Sequence, residues 1–105
     1  MSNNNLFANL PNTLPEEVFE DVFKSEKLRI ERILSKGHYS PDNDWYDQDE
    51  NEWVLLVQGE AVLEYEDKRC VSLNTGDYIN IPAHVKHRVK WTSPEEVSIW
   101  LAIFY

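Results

Sequence analysis

Cysteine, glycine and positive charge are scarce in this 105-residue chain, and each scarcity excludes something. The single Cys70 cannot close an intrachain disulfide and has no Cys-x-x-Cys companion, so it reads as a small strand residue in a reducing compartment. No apolar run approaches the roughly 20 residues that span a bilayer, which sets aside a membrane partner. The opening MSNNNLF lacks the basic and apolar regions of a signal peptide, and the cytoplasm is the expected location. Ten basic against nineteen acidic residues leave a net charge of −9, so no nucleic-acid partner is expected, because a phosphate backbone requires a basic face. Also missing are a glycine-rich phosphate loop, a Gly-x-Ser-x-Gly elbow and a Cys–His nucleophile pair, which leaves nucleotide hydrolysis and acyl-enzyme chemistry without support.

What the chain does have is aromatic mass: four Trp, five Tyr and four Phe argue against disorder in a single 12.4 kDa domain. Residues 1–27 read as an N-terminal arm and short helix, and 28–105 as the body. Thr13-Leu-Pro-Glu16 has the spacing of a capping box. Behind it Val18, Phe19, Val22 and Phe23 form one apolar stripe at helical spacing. Everything beyond reads as β. Short runs at 28–34, 52–57, 61–66, 69–73, 78–81, 87–91 and 97–105 are separated by turn signals about every ten residues, the pattern of a sandwich or small barrel. WVLLV and SIWLAIFY are apolar on both faces, so those strands should be covered on both sides. An apolar C-terminal strand left as an open edge would aggregate, and a homodimer is the expected remedy.

Two stretches carry the chemistry. Glu52 stands at the head of WVLLV, which ends at Gln58-Gly59; GDYINIPAHVKHRV, from Gly76 to Val89, brings His84 and His87 after Pro82. If Glu52 faces the interior, alternation puts Gln48 and Tyr46 on its side, provided the strand runs back through them. The same alternation groups His87, Val89 and Trp91, so Trp91 is expected inward near His87. Trp53 and Trp100 read as core or subunit-interface residues, and His38 as an exposed loop residue. The acidic loop DNDWYDQDENE lacks the glycine and ligand order of an EF-hand loop and reads as solvated.

These residues resemble the cupin superfamily, in its small single-domain, conserved-barrel form. Glu52, six intervening residues and Gly59 match the closing half of the first cupin motif. Gly76-Asp77, with Pro82 five residues after Asp77 and His87 five after Pro82, matches the second. The resemblance covers about Leu28 to Tyr105. It implies an all-β, cupin-type jelly-roll β-barrel, commonly a homodimer, with a pocket inside. The first metal motif is degenerate: its two histidines are replaced by Tyr46 and Gln48. In the second motif, His84 stands where glycine is usual and Trp91 where asparagine is usual.

The expected function is therefore a barrel that binds a small polar molecule of the carbohydrate or organic-acid class. A divalent metal (Fe, Mn, Ni or Zn) would take Gln48, Glu52, His84 and His87 as donors, a set weakened by its neutral amide. Without metal, Glu52 and His87 form either an acid/base pair or one part of a satisfied polar network, with Tyr46, Gln48 and Trp91 contacting the ligand. As an enzyme the chain would be an isomerase, lyase or dioxygenase-like protein. The alternative is a non-catalytic sensor or binding module. Fold-level analogy does not choose between them.

Overall fold

A computed structural model describes residues 4–105. Among them there are eight strands and no helix: β1 (Val18–Lys24), β2 (Arg29–Ser35), β3 (Glu52–Gln58), β4 (Glu60–Tyr65), β5 (Cys70–Asn74), β6 (Tyr78–Ile81), β7 (His87–Thr92) and β8 (Ser98–Phe104). They form a five-stranded sheet in the order β1-β2-β8-β3-β6 and a three-stranded sheet in the order β5-β4-β7. Every pairing is antiparallel.

The expected N-terminal helix is a strand. Val18, Phe19, Val22 and Phe23 lie on β1, which pairs with β2 from Val18↔Leu34 to Lys24↔Arg29, with a register shift between Asp21 and Phe23. The physical reason is length. Two helical turns fall well short of the ~12–15 residues at which an isolated helix becomes even marginal, whereas the β2 edge offers a ready ladder of backbone partners. β-Branched and aromatic residues make up four of the seven positions, and they suit a pleated surface.

Alternation builds the core. Val54 and Leu56 of β3, Ala61 and Leu63 of β4, and Trp100, Ala102 and Phe104 of β8 point between the sheets, joined by Leu73 and Ile81. The C-terminal strand is not an edge: β8 runs between β2 and β3 and is hydrogen-bonded on both sides. Its backbone therefore needs no partner chain to protect it, and the edge argument for a dimer falls away. No helix among the described residues is long and apolar enough to cross a membrane.

Candidate functional site

A cavity of ≈ 160 Å³ opens between the sheets. Its inner wall is apolar, made by Val54, Leu63, Ile81, Val89, Trp100 and Phe104, and one end is polar, where Tyr46, Gln48, Glu52 and His87 meet. Glu52, the first residue of β3, shares the inward face with Val54 and Leu56 and is almost wholly buried. His87, the first residue of β7, is buried opposite it, with Nε2 3.4 Å from Glu52 Oε1. Gln48 donates from Nε2 to the same Glu52 oxygen at 3.1 Å.

Tyr46 and Gln48 reach the cavity by another route than the one the sequence suggests. β3 starts at Glu52 and does not run back through them. Instead Tyr46 makes an isolated antiparallel bridge to His87, its N–H donating to the His87 carbonyl at 2.7 Å and its carbonyl accepting from His87 N–H at 3.2 Å. The Gln48 carbonyl accepts the His84 N–H at 2.8 Å. The acidic loop thus crosses from one sheet to the other and delivers two side chains to the Glu52–His87 pair.

The electrostatics follow from these contacts. His87 Nδ1 lies 2.9 Å from the Val85 carbonyl, which can only accept, so Nδ1 carries a proton. Its other nitrogen faces a carboxylate. Burial lowers the His87 pKa, but the hydrogen bond and charge of Glu52 and the Val85 carbonyl outweigh it, and the net displacement is upward. With an acceptor at each nitrogen, the imidazolium is the form this site holds best. The Tyr46 phenol is pushed up by burial and the charge of Glu17, with smaller help from Asp44 and Glu52, against the lowering effect of Ser40. It stays a neutral O–H donor.

Two residues expected at the site are elsewhere. His84 sits on an exposed turn, its side chain 64% accessible, with Nδ1 2.9 Å from Asp47 Oδ1 and Nε2 3.5 Å from Asp49 Oδ1. Its φ of 65° lies in the left-handed region, which explains why glycine is usual at this place in the motif. Trp91 points outward and is 41% exposed. The reason is a bulge in β7: Trp91 pairs with Val62 but Val89 pairs with Leu63, so Lys90 is an extra residue and the alternation from His87 inverts beyond it. Thr92 is buried in its stead.

The structure also brings to the cavity residues that sequence reading missed. Arg29, Glu31 and Ile33 of β2 line it, as do Glu17 and Phe19. In LRIERIL the apolar residues Leu28 and Ile30 suggest the inward set, yet the odd-numbered residues Arg29, Glu31 and Ile33 face the cavity while Arg32 is held by Glu20 and by the Leu6 and Ala8 carbonyls. The mixed charge in that run was the available signal.

For a metal, the donors gathered are one carboxylate, one imidazole, one amide and one phenol. No three His, Cys, Asp or Glu side chains come together in a metal-holding group among the described residues. Both nitrogens of His87 already face acceptors, and the phenol is held protonated. This set does not fit a stably held first-row divalent ion.

Two facing antiparallel sheets that enclose a cavity with one polar end define a small β-barrel with an internal pocket. The chain belongs to the cupin family: residues 31–104 match the Cupin domain. Among solved structures it is similar to a "putative mannose-6-phosphate isomerase" from Ralstonia eutropha JMP134. That protein is 41% identical, with a TM-score of 0.93 over 99% of this chain and 97% of the other. An RmlC-like cupin from Desulfovibrio desulfuricans has a TM-score of 0.75 at 17% identity over 99% of this chain and 96% of its own. A cupin superfamily protein from Desulfitobacterium hafniense DCB-2 has a TM-score of 0.74 at 18% identity over 90% and 82%. These last two likenesses speak for the fold alone. Among curated proteins none matches the chain.

Proposed function

We propose that the cavity binds a small oxygenated molecule, of the carbohydrate or organic-acid class, and that Glu52 and His87 transfer protons to and from it. The observation that carries this reading is the buried Glu52–His87 pair, 3.4 Å apart at the polar end of a cavity whose inner wall is apolar. A carboxylate beside an imidazolium supplies a base and an acid at once, in a water-poor setting where both act strongly. On a 2-hydroxy carbonyl compound, Glu52 would take the proton from the carbon next to the carbonyl while His87 gives its Nε2 proton to the carbonyl oxygen. The product of that step is an enediol. Return of the Glu52 proton to the neighbouring carbon, with the hydroxyl proton passing to His87, completes an isomerisation without any co-reactant. Tyr46 and Gln48 stand beside the pair as hydrogen-bond donors that orient the substrate and Glu52.

The name of the 41% identical Ralstonia protein points to the same reaction class. No step is routed through a metal, because the donor set does not fit one. The reading is tested by turnover of 2-hydroxy aldehydes with wild type, Glu52→Gln and His87→Ala, before and after chelator dialysis. Expected are loss of turnover by about a hundredfold or more in each variant, retained substrate binding in Glu52→Gln, and indifference to the chelator. Binding without turnover in the wild type would leave a sensor module. Turnover that survives Glu52→Gln would sink the acid/base assignment.

A further inference from the structure

One residue of the cavity wall carries a donor with nothing to donate to. Trp100 is 4% exposed, and its indole N–H is buried without a hydrogen-bond acceptor among the described residues. Arg29 Nε also lacks an aligned hydrogen bond, but Glu31 Oε2 stands 3.1 Å from it as an ion-pair partner. Both residues line the cavity. A buried N–H left unpaired forfeits the hydrogen bond it made to water in the unfolded chain, so such a group is accounted for when a bound molecule supplies the acceptor. The Trp100 N–H asks for an acceptor oxygen.

Charge decides what kind of oxygen. The lining holds three carboxylates, Glu17, Glu31 and Glu52, against the Arg29 guanidinium and the His87 imidazole. Arg29 is already neutralised: Glu31 Oε2 lies 3.1 Å from its Nε and Glu50 Oε1 3.1 Å from its NH1, while its plane rests 4.2 Å over the Phe104 ring. No lysine and no glycine faces the cavity, so neither an ammonium nor a backbone nest is available for a phosphate. A carboxylate or phosphate ester entering would meet net negative charge in a low-dielectric site, inside a chain of net charge −9. A cation would leave the Trp100 N–H unpaired. A neutral hydroxyl or carbonyl oxygen satisfies both conditions.

We propose that Trp100 is a ligand-binding residue whose indole N–H donates to an uncharged oxygen of the bound molecule, and that the cavity selects neutral hydroxy-carbonyl compounds over their anionic counterparts. This rests on reading the cavity as a ligand site, and it narrows the class given above by setting aside the organic acid. It also separates this chain from a phosphosugar substrate, despite the name of its Ralstonia relative.

The test uses matched pairs as probes: glyceraldehyde against glycerate, and mannose against mannose 6-phosphate, titrated into full-length protein by calorimetry. At least one neutral probe should bind, with its anionic partner roughly tenfold or more weaker. Trp100→Phe keeps the ring in the core but removes the donor, and should weaken the neutral probe about five- to tenfold. Glu31→Gln frees Arg29 of one counter-charge and should recover part of the anionic binding. Should Trp100→Phe fail to fold, the wild-type indole ¹H–¹⁵N resonance of Trp100 should shift on titration. It can be assigned by elimination through Phe variants of Trp45, Trp53 and Trp91. An anionic probe that binds as tightly as its neutral partner, or an unmoved Trp100 resonance with unchanged Trp100→Phe affinity, overturns this inference and leaves the ligand site standing. If none of the four probes binds, the ligand-site reading falls and takes the inference with it.

Discussion

His87 is the residue whose protonation the fold has arranged, since an acceptor faces each ring nitrogen. Its folded pKa is displaced upward from 6.5 by contacts that outweigh burial. The stabilisation this gives is therefore complete below the unfolded value near 6.5 and is lost as pH rises through the folded value. Melting temperature should fall as pH is raised through that window. In Glu52→Gln the carboxylate that raises the pKa is gone and the fall should flatten. A Glu52→Gln melting profile that keeps the full slope would show that the dependence lies elsewhere. At this scale much of the site was legible. The spacing from Glu52 to Gly59 and from Pro82 to His87 located the pair that meets in the cavity. Tyr46 and Gln48 also arrive there, although by a cross-sheet bridge in place of strand continuation. Trp91 was not legible, because one extra residue in a strand reverses every side chain beyond it and leaves no mark in composition.

At the scale of the element, the turn between β3 and β4 is the joint that fixes Glu52 in register. Gln58 ends one strand and Glu60 begins the next, so Gly59 alone makes the bend by which the chain passes from the five-stranded to the three-stranded sheet, with φ at 114°. A Cβ built there would stand 2.8 Å from Ser98 Cα in β8, a backbone atom that cannot swing aside. Gly59→Ala combines a strained backbone with a clash against the central strand, and should cost about 2 kcal/mol or more in urea denaturation. A loss below about 0.5 kcal/mol would mean that the turn relaxes freely. The sequence made this turn plain because only glycine suits it. The N-terminal element was less plain. Val18, Phe19, Val22 and Phe23 fit a helical stripe and a bulged strand equally well, and the choice was settled by the unpaired edge of β2, which no local pattern reports. The charged inward face of β2 was hidden for a related reason. Arg29 and Glu31 face the cavity, and a reading that sends apolar residues inward assigns them to solvent.

On the scale of the whole molecule, the two sheets differ in width, five strands against three, and so the larger sheet has more surface than the smaller one can cover. Inside, this leaves β1 and β2 at the cavity, where Phe19 is half exposed beside Arg29 and Glu31. Outside, the back of β3, β8 and β6 gathers Trp53, Leu55, Leu101 and Ile103, cross-strand neighbours that are only partly buried, with Tyr78 exposed beside them. Trp53 and Tyr78 lie with ring centroids 5.3 Å apart. A contiguous aromatic and aliphatic patch on a chain of net charge −9 is a place where repulsion between copies must be overcome by burial, and aromatic residues are the ones that contribute most at interface centres. The homodimer expected from sequence would then rest on this sheet face, in keeping with the reading of Trp53 as a core or subunit-interface residue, and not on a C-terminal edge. The expected outcome in sedimentation velocity at micromolar concentration is a species of twice the 12.4 kDa chain mass. Trp53→Glu would place a charge at the centre of the patch and should yield monomer with unchanged circular dichroism. The cavity lies on the opposite face of the same sheet, so that monomer should still bind a neutral hydroxy-carbonyl probe. A wild type already monomeric would mean that this face meets solvent, and loss of probe binding in a folded Trp53→Glu monomer would mean that assembly completes the site.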